Sequence, residues 1–123
     1  MPFEIDLKKA AAFLDEKENR RLALVHDRFE KATADCAAIV EMIKQKFKPE
    51  RIYQWGSLLD ESKFSEISDI DIAVEGTFSA EDMFRMLEAA EKLTDFPVDL
   101  VDINKIDPLH AETIRFKGRI VYE

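Results

Sequence analysis

Two aspartates separated by one residue are the first feature of this sequence that could do chemistry. Asp69 and Asp71 alternate with Ile70 and Ile72, which is typical of a β-strand with one polar and one apolar face. The two carboxylates would share a face, with attachment points about 6.5–7 Å apart. Like charges held that close raise each other's pKa unless a cation shares them. Mg²⁺ resolves such a conflict in nucleotide enzymes, where one or two carboxylates and phosphate oxygens hold it.

A turn suited to an anionic group is predicted upstream, where Gly56-Ser57 interrupts a predicted strand over residues 51–58. Glycine lets the backbone approach a phosphate closely, and the serine hydroxyl and nearby amides can donate to phosphate oxygens. Phosphate donors on one strand end and metal-binding carboxylates on the next strand are what nucleotidyl transfer needs. The adjacent Trp55 is predicted to pack in the core or the loop, with stacking on a nucleotide base as the alternative.

A third predicted strand, over residues 97–103, offers two further acids. Asp99 and Asp102 are three positions apart, so strand alternation places them on opposite faces. Only one of them can join the aspartate pair if the strands are neighbours. Asp102 is predicted to be a cap or a surface acid.

The N-terminal third of the chain is predicted to be helical, because residues 6–48 contain no glycine and no proline. A second apolar stripe upstream, Leu7 to Leu14, is out of phase with the main one across residues 15–21. A kink or break there, or two separate helices, is therefore expected. The main stripe follows spacings of three and four residues: Leu22, Val25, Phe29, Ala32, Cys36, Ile39 and Ile43.

The remaining elements predict an α/β domain with a small mixed sheet of about four strands flanked by helices. Ser79 and Asp82 form a capping-box pattern that begins a helix running to about Leu93. A helix over residues 107–116 and a short strand over residues 119–122 follow. The expected organisation is a helical segment, residues 1–48, and a domain, residues 49–123, in one structural unit. The apolar stripe predicted for the helix after Ser79 is Met83, Phe84, Leu87, Ala90 and Leu93.

Residues 50–123 resemble the DNA polymerase β-like nucleotidyltransferase superfamily, and in particular its minimal nucleotidyltransferases. The resemblance lies in Trp55-Gly56-Ser57, then eleven residues, then the segment Ser68 to Val74, which contains Asp-Ile-Asp. The later segments 98–101 and 117–122 add to it. The spacing of Gly-Ser to Asp-x-Asp with apolar neighbours is fairly specific, whereas Asp-x-Asp alone is weak.

The resemblance implies a nucleotidyltransferase-like fold and an enzyme that moves a nucleoside monophosphate, AMP from ATP, to a hydroxyl. It implies two Mg²⁺ ions held by three acids and a triphosphate bound near the Gly-Ser turn. Many relatives are antitoxins paired with a helical HEPN-type toxin, and some transfer AMP to a tyrosine of that toxin. The metal ligands implied are Asp69, Asp71 and Asp99, and the nucleotide-binding residues are Gly56, Ser57, Ser68 and Lys63.

The loop over residues 58–66 departs from the family pattern, because it lacks the usual arginine and Lys63 is its only cation. Two alternatives to the enzyme with a toxin acceptor therefore stay open. One is a binding module that neutralises a partner by contact and keeps a relic site. The other is nucleotidyl transfer to a small molecule such as an aminoglycoside.

Composition limits the partners. The net charge of −8 disfavours bulk binding to nucleic acid or to an anionic membrane, which depends on Lys and Arg meeting phosphates. No apolar run approaches the ~20 residues of a membrane helix.

A single cysteine, Cys36, predicts a cytoplasmic protein and a buried side chain. His26 and His110 lack partners at metal-ligand spacing and are predicted to be ordinary. The N-terminal helix is a candidate surface for a homo-oligomer.

Overall fold

The N-terminal helical segment is one unbroken helix. The computed structural model of the chain describes residues 6–123, and its first helix, α1 (Leu7–Phe47), begins at the N-cap Asp6. The expected kink, break or pair of helices over residues 15–21 is therefore wrong. Residues 7–24 are exposed throughout, so no packing surface there requires the two apolar stripes to stay in phase. Because residues 15–21 contain no glycine or proline, the helical propensity of these polar residues is sufficient to continue the helix.

The rest of the chain forms a four-stranded mixed sheet with two further helices, as predicted. The elements are β1 (Arg51–Trp55), β2 (Ile70–Glu75), α2 (Ala80–Glu91), β3 (Val98–Asp102), α3 (Pro108–Lys117) and β4 (Arg119–Tyr122). The strand order is β3-β2-β1-β4, in which β2 and β3 are parallel and the other neighbours are antiparallel. Two short 3₁₀ turns, Ser57–Leu59 and Glu61–Lys63, follow β1 and end it earlier than predicted.

One face of the sheet is covered by α1 and α2. The predicted main stripe of α1 is buried from Val25 onward, except for the half-buried Phe29, and packs against the apolar row of β2, while Leu22 is exposed. The capping box of α2 is present as predicted. Its predicted stripe is partly wrong, because Phe84 is 67% exposed and Met86 is fully buried instead. The helix is therefore rotated so that Met86, rather than Phe84, meets the sheet.

The opposite face is covered only in part, by α3. Ala111 and Ile114 of that helix pack on Tyr53 and Ala73 of the sheet. An ion-pair network fixes the same helix, because the nearly buried Glu75 accepts from Arg51 at 2.7 Å and from Arg115 at 3.0 Å. The part of this face that α3 leaves uncovered is where β2 and β3 begin. Within residues 6–123, no helix has both the length and the apolar character that crossing a membrane requires.

Candidate active site

The sheet register brings the predicted carboxylates together. Asp71 of β2 lies directly opposite Asp99 of the parallel strand β3, and opposite Trp55 of the antiparallel strand β1. Asp69 immediately precedes β2. Residues that are paired in register share a face of the sheet, so Asp71 and Asp99 project toward the same side. The side chain of Asp71 is half-buried there, whereas Asp99 is exposed.

Gly56 forms the contact between the predicted phosphate turn and these acids. Its φ of 82° lies in the left-handed region, which glycine adopts without steric cost. A Cβ atom at this position would overlap the carboxylate of Asp71. Both the backbone conformation and the available space therefore require glycine. The consequence is that the turn carrying Ser57 begins in contact with a candidate metal ligand.

The electrostatics of the site favour a cation. Burial, together with the negative charges of Asp99 and Asp69, raises the pKa of Asp71 to about 7. Without a bound ion, the folded protein therefore disfavours the charged form of Asp71. A divalent cation would offset both effects, because it attracts the carboxylate and neutralises its neighbours.

The acids fit a magnesium site that a nucleotide completes. Among residues 6–123, no three histidine, cysteine, aspartate or glutamate side chains are arranged to hold a metal ion by themselves. Mg²⁺ in nucleotide enzymes needs only one or two carboxylates, because water and phosphate oxygens supply the other ligands. The pair Asp71 and Asp99, with Asp69 close enough to act on Asp71, meets that requirement.

The predicted nucleotide-binding residues occupy two places. Ser57 and Lys63 both line a cavity of about 460 Å³ beside the Gly56 turn. Ser68 lies away from that cavity lining, in the loop before β2. Its hydroxyl accepts a hydrogen bond from the backbone N–H of Ser65 at 2.9 Å, which closes the turn that leads to Asp69. The contacts of Ser68 therefore position the start of β2.

Four residues of α3 line the same cavity, and no motif in the sequence indicated them: His110, Thr113, Ile114 and Lys117. His110 was predicted to be ordinary, yet its ring packs edge-on against Trp55, with centroids 5.3 Å apart. Trp55 packs against the core cluster under α3, as predicted, and also forms part of the cavity wall. No local pattern could indicate these contacts, because they depend on how α3 packs across the sheet.

Two other predictions concern polar groups outside the site. Asp102 ends β3, and its carboxylate accepts from the backbone N–H of Asn104 at 3.0 Å in the turn that follows, so it does not cap a helix. The alternative that it lies on the surface is wrong, because it is only 6% exposed. Cys36 is buried as predicted, and burial raises the pKa of its thiol to about 11, so it is not a nucleophile at neutral pH.

A glycine turn in contact with paired strand carboxylates on a mixed sheet defines a nucleotide-transferring α/β domain. Residues 37–123, more than two thirds of the chain, match the family described as Polymerase beta, Nucleotidyltransferase. The chain therefore belongs to the polymerase β nucleotidyltransferase family, and its enzyme class is that of a nucleotidyltransferase. No curated protein shows significant similarity to it.

Solved structures share the fold. A chain of the toxin–antitoxin MntA–HepT has a TM-score of 0.58 and 22% identity, over 73% of this chain and 71% of that chain. A chain of a toxin–antitoxin with AMP-PNP has a TM-score of 0.62 and 23% identity, over 71% and 72%. A chain from the complex of the tri-AMPylated Shewanella oneidensis HEPN toxin with MNT antitoxin has a TM-score of 0.57 and 21% identity, over 74% and 71%. The predicted fold class and the resemblance to the DNA polymerase β-like nucleotidyltransferases are confirmed.

Proposed function

We propose that this protein is a Mg²⁺-dependent transferase that moves AMP from ATP to a hydroxyl group. The observation that carries the proposal is the contact between Gly56 and the carboxylate of Asp71, which lies in register with Asp99. A phosphate-binding turn and a metal-binding acid pair are thereby adjacent. Transfer needs this adjacency, because the bond that breaks lies between the phosphate bound by the acids and the phosphates bound by the turn.

Each candidate residue has a role in this proposal. Asp69 and Asp71 hold Mg²⁺ with the phosphates, and bound Mg²⁺ would neutralise the charge that develops as the phosphoryl group is transferred. Ser57 and the amides of its turn donate to the β- and γ-phosphates. Asp99 orients the acceptor hydroxyl. It either takes the proton of that hydroxyl or would help to hold the metal ion that lowers the pKa of the hydroxyl. The acceptor oxygen then bonds to the α-phosphorus, and pyrophosphate leaves with the electron pair of the broken bond.

We further propose that the acceptor is a side chain of a HEPN-type toxin, which the protein thereby neutralises as an antitoxin. Two of the similar solved structures are named as toxin–antitoxins, and a third contains an AMPylated HEPN toxin with MNT antitoxin. The part of α1 over residues 7–24 offers surface for such a partner. It projects beyond the core and leaves five large apolar side chains exposed: Leu7, Phe13, Leu14, Leu22 and Leu24.

The same exposed helix supports a second candidate function, in which the protein neutralises its partner by contact alone. In the transferase, residues 49–123 would carry the nucleotide chemistry. In either case residues 1–48 would supply helical support and contact surface. A homo-oligomer through this helix is a competing use of the same surface. A cytoplasmic location follows in this proposal from the single buried thiol of Cys36.

Labelling a toxin directly tests transfer. The protein, Mg²⁺ and ATP labelled in its α-phosphate are incubated with a HEPN-type toxin, and label on the toxin is measured. We expect labelling that EDTA abolishes and that the double variant Asp69→Asn/Asp71→Asn lacks. The variant Asp95→Asn is the matched control, because Asp95 is a highly exposed aspartate outside the site.

Measuring toxin activity in the same samples separates the two candidates. If the double variant neutralises the toxin as well as the wild type does, contact is sufficient. Unlabelled toxin under all conditions, with purified and folded components, would contradict the transfer mechanism for this acceptor.

A further inference from the structure

The first part of α1 differs in charge from the rest of the chain. Residues 7–31 carry seven Lys and Arg against five Asp and Glu, a net charge of +2. Residues 32–123 carry eleven against nineteen, a net charge of −8. The positive segment lies before residue 37, where the family match begins, so it is outside the part that matches the family. Charge separated in this way indicates a surface for an acidic partner.

One face of this segment combines cations with large apolar side chains. Residues at spacings of three or four lie on the same face of a helix, and one such series from residue 13 to residue 31 contains no acid. At 1.5 Å per residue this face is about 27 Å long. We call it the basic strip, and it consists of Phe13, Lys17, Arg20, Leu24, Arg28 and Lys31.

The half of the basic strip that projects beyond the core is an open groove. Phe13 and Leu24 line its two ends, with Lys17 and Arg20 between them. Within residues 6–123, Lys17 forms no ion pair, and Arg20 pairs only with the exposed Glu16 at 3.1 Å. Exposed pairs of this kind contribute little, so a partner's carboxylate can replace Glu16. A helix gains most of its stability when its apolar face packs, which residues 7–24 do not achieve within this chain.

The other end of the basic strip reaches the end of the sheet at which the candidate metal ligands lie. Arg28 lies over the ring of Phe96, 4.9 Å from its centre, and lines a cavity of about 220 Å³ together with Pro97. The carbonyl oxygen of Pro97 accepts from the backbone N–H of Ile70 at 2.9 Å, where β2 and β3 begin. Asp99 follows Pro97 by two residues. A partner that lies along the strip therefore reaches the same end of the sheet as the acids.

Charge and shape select the occupant of the basic strip. Two copies of the strip pair poorly with each other, because Lys17 and Arg20 of one copy would face the same cations of the other in either orientation. Nucleic acid is disfavoured, because apolar side chains stand at both ends of the groove, and Glu16 and Asp27 flank it at helical spacing. An acidic amphipathic helix fits, because its apolar side chains can meet the ends of the groove while its carboxylates meet the cations.

We infer that the basic strip docks an acidic amphipathic helix of the partner protein and thereby holds that protein at the carboxylate site. The groove between Phe13 and Leu24 receives this helix. The strip directs the rest of the partner toward the end of the sheet at which Asp99 lies. The strip thus selects the protein that is presented, whereas the carboxylates perform the chemistry. The identity of the partner as a HEPN-type toxin rests on the proposed function.

Binding without nucleotide tests the inference directly. The full chain is titrated with a HEPN-type toxin by isothermal titration calorimetry in the absence of ATP. We expect Lys17→Glu/Arg20→Glu to weaken binding at least about tenfold, and Lys17→Gln/Arg20→Gln, which only removes the charges, to weaken it about three- to tenfold. The matched control is Lys44→Glu/Lys92→Glu, which makes the same change in net charge on exposed side chains outside the strip. It should bind as the wild type does, and far-UV circular dichroism verifies that every variant keeps its helices.

The labelling assay gives a second readout of docking. Lys17→Glu/Arg20→Glu should raise KM for the toxin about tenfold and leave kcat and the affinity for ATP unchanged, since the strip does not include the acids. Phe13→Ala and Leu24→Ala should each raise KM about three- to tenfold, because they remove the apolar ends of the groove.

The two readouts separate this inference from the proposed function. If the toxin binds the wild type and Lys17→Glu/Arg20→Glu loses that binding, the inference is supported even when no toxin is labelled. If the toxin is labelled but the variant gives wild-type values in both assays, the inference is overturned and the proposed function stands. If the toxin does not bind the wild type at micromolar concentrations, the inference is overturned, and labelling alone decides the proposed function.

Two controls identify a different occupant of the basic strip. A wild-type dimer in size-exclusion chromatography that Lys17→Glu/Arg20→Glu converts to a monomer would assign the strip to a second copy. A single-stranded RNA that binds the wild type but not this variant, and that displaces the toxin, would assign it to nucleic acid. Either result would overturn the inference.

Discussion

Replacing Asp71 with asparagine should make the metal-free protein more stable at neutral and alkaline pH. The folded protein raises the pKa of this carboxyl to about 7 through burial and the charges of Asp99 and Asp69, whereas its unfolded pKa is about 3.9. Between these values the folded state keeps a proton that the unfolded state releases. The stability contributed by this proton is complete below about pH 4 and is lost as the pH rises through 7. Asparagine cannot ionise, so the variant has no such loss.

The size of the effect follows from the shift. Three pKa units correspond to about 4 kcal/mol at full strength, since each unit is about 1.4 kcal/mol. Asp71 is only half-buried, so solvent screening reduces this to about 1–2 kcal/mol. Isosteric replacement opens no cavity, and the side chain lies on the face away from the buried row of Ile70, Ile72 and Val74.

Urea denaturation in EDTA at several pH values between 5 and 8 measures the effect. The wild type should lose about 1–2 kcal/mol of unfolding free energy relative to Asp71→Asn across this range. Asp15→Asn, on the exposed part of α1, should follow the wild type. Other titrating groups, such as His26, are common to all three proteins and cancel in the comparison. Parallel pH profiles for wild type and Asp71→Asn would refute the reasoning, because the carboxyl would then titrate normally in the folded protein.

Four further outcomes are expected. Asp99→Asn should lower the transfer rate about 10²–10⁴-fold with little change in ATP affinity, whereas Asp102→Asn should retain transfer; single-turnover assays of both check this. Millimolar Mg-ATP should raise the melting temperature more than either component alone, because Mg²⁺ relieves the repulsion and the phosphates complete its ligands. Glu75→Ala should cost about 1–3 kcal/mol in urea denaturation, because it leaves Arg115 of α3 without its ion-pair partner and removes one of the two carboxylates that pair with Arg51. Glu61→Gln should lower the pKa of the His26 ring in an NMR titration, because hydrogen bonding to and the charge of Glu61 raise it; the stability from this pair is present below about pH 6.5 and is lost above the folded pKa.

The sequence was informative where local periodicity decides structure. Alternation around Asp69 and Asp71 predicted β2 and the face of its acids, and the Ser79 cap predicted the start of α2. The face of α2 was less predictable, because both Phe84 and Met86 are apolar and only packing selects one of them. The break expected in α1 did not occur, because a helix without a packing partner can change its apolar face without bending.

The cavity was not predictable from any local pattern. His110 and Lys117 are more than fifty residues from Ser57 in the chain, and the packing of α3 across the sheet brings them to one space. The sequence did show that the loop over residues 58–66 has a single cation. What it could not show is that a lysine from α3, Lys117, lines the same cavity as Lys63. The spacing between Gly56-Ser57 and the aspartates does not indicate a charge that a distant helix supplies.

The position of the acids is determined by the apolar row on the other face of their strand. Ile70, Ile72 and Val74 are fully buried against α1 and α2. A slip of β2 by one residue would move all three out of this core to the face that α3 covers only in part, and would turn Asp71 into the core, which costs far more than any single contact in the site could offset. The register that pairs Asp71 with Asp99 is therefore maintained by hydrophobic burial and not by the acids themselves. This separation lets the protein hold like charges together before any cation binds, which is the condition that a metal-dependent site requires.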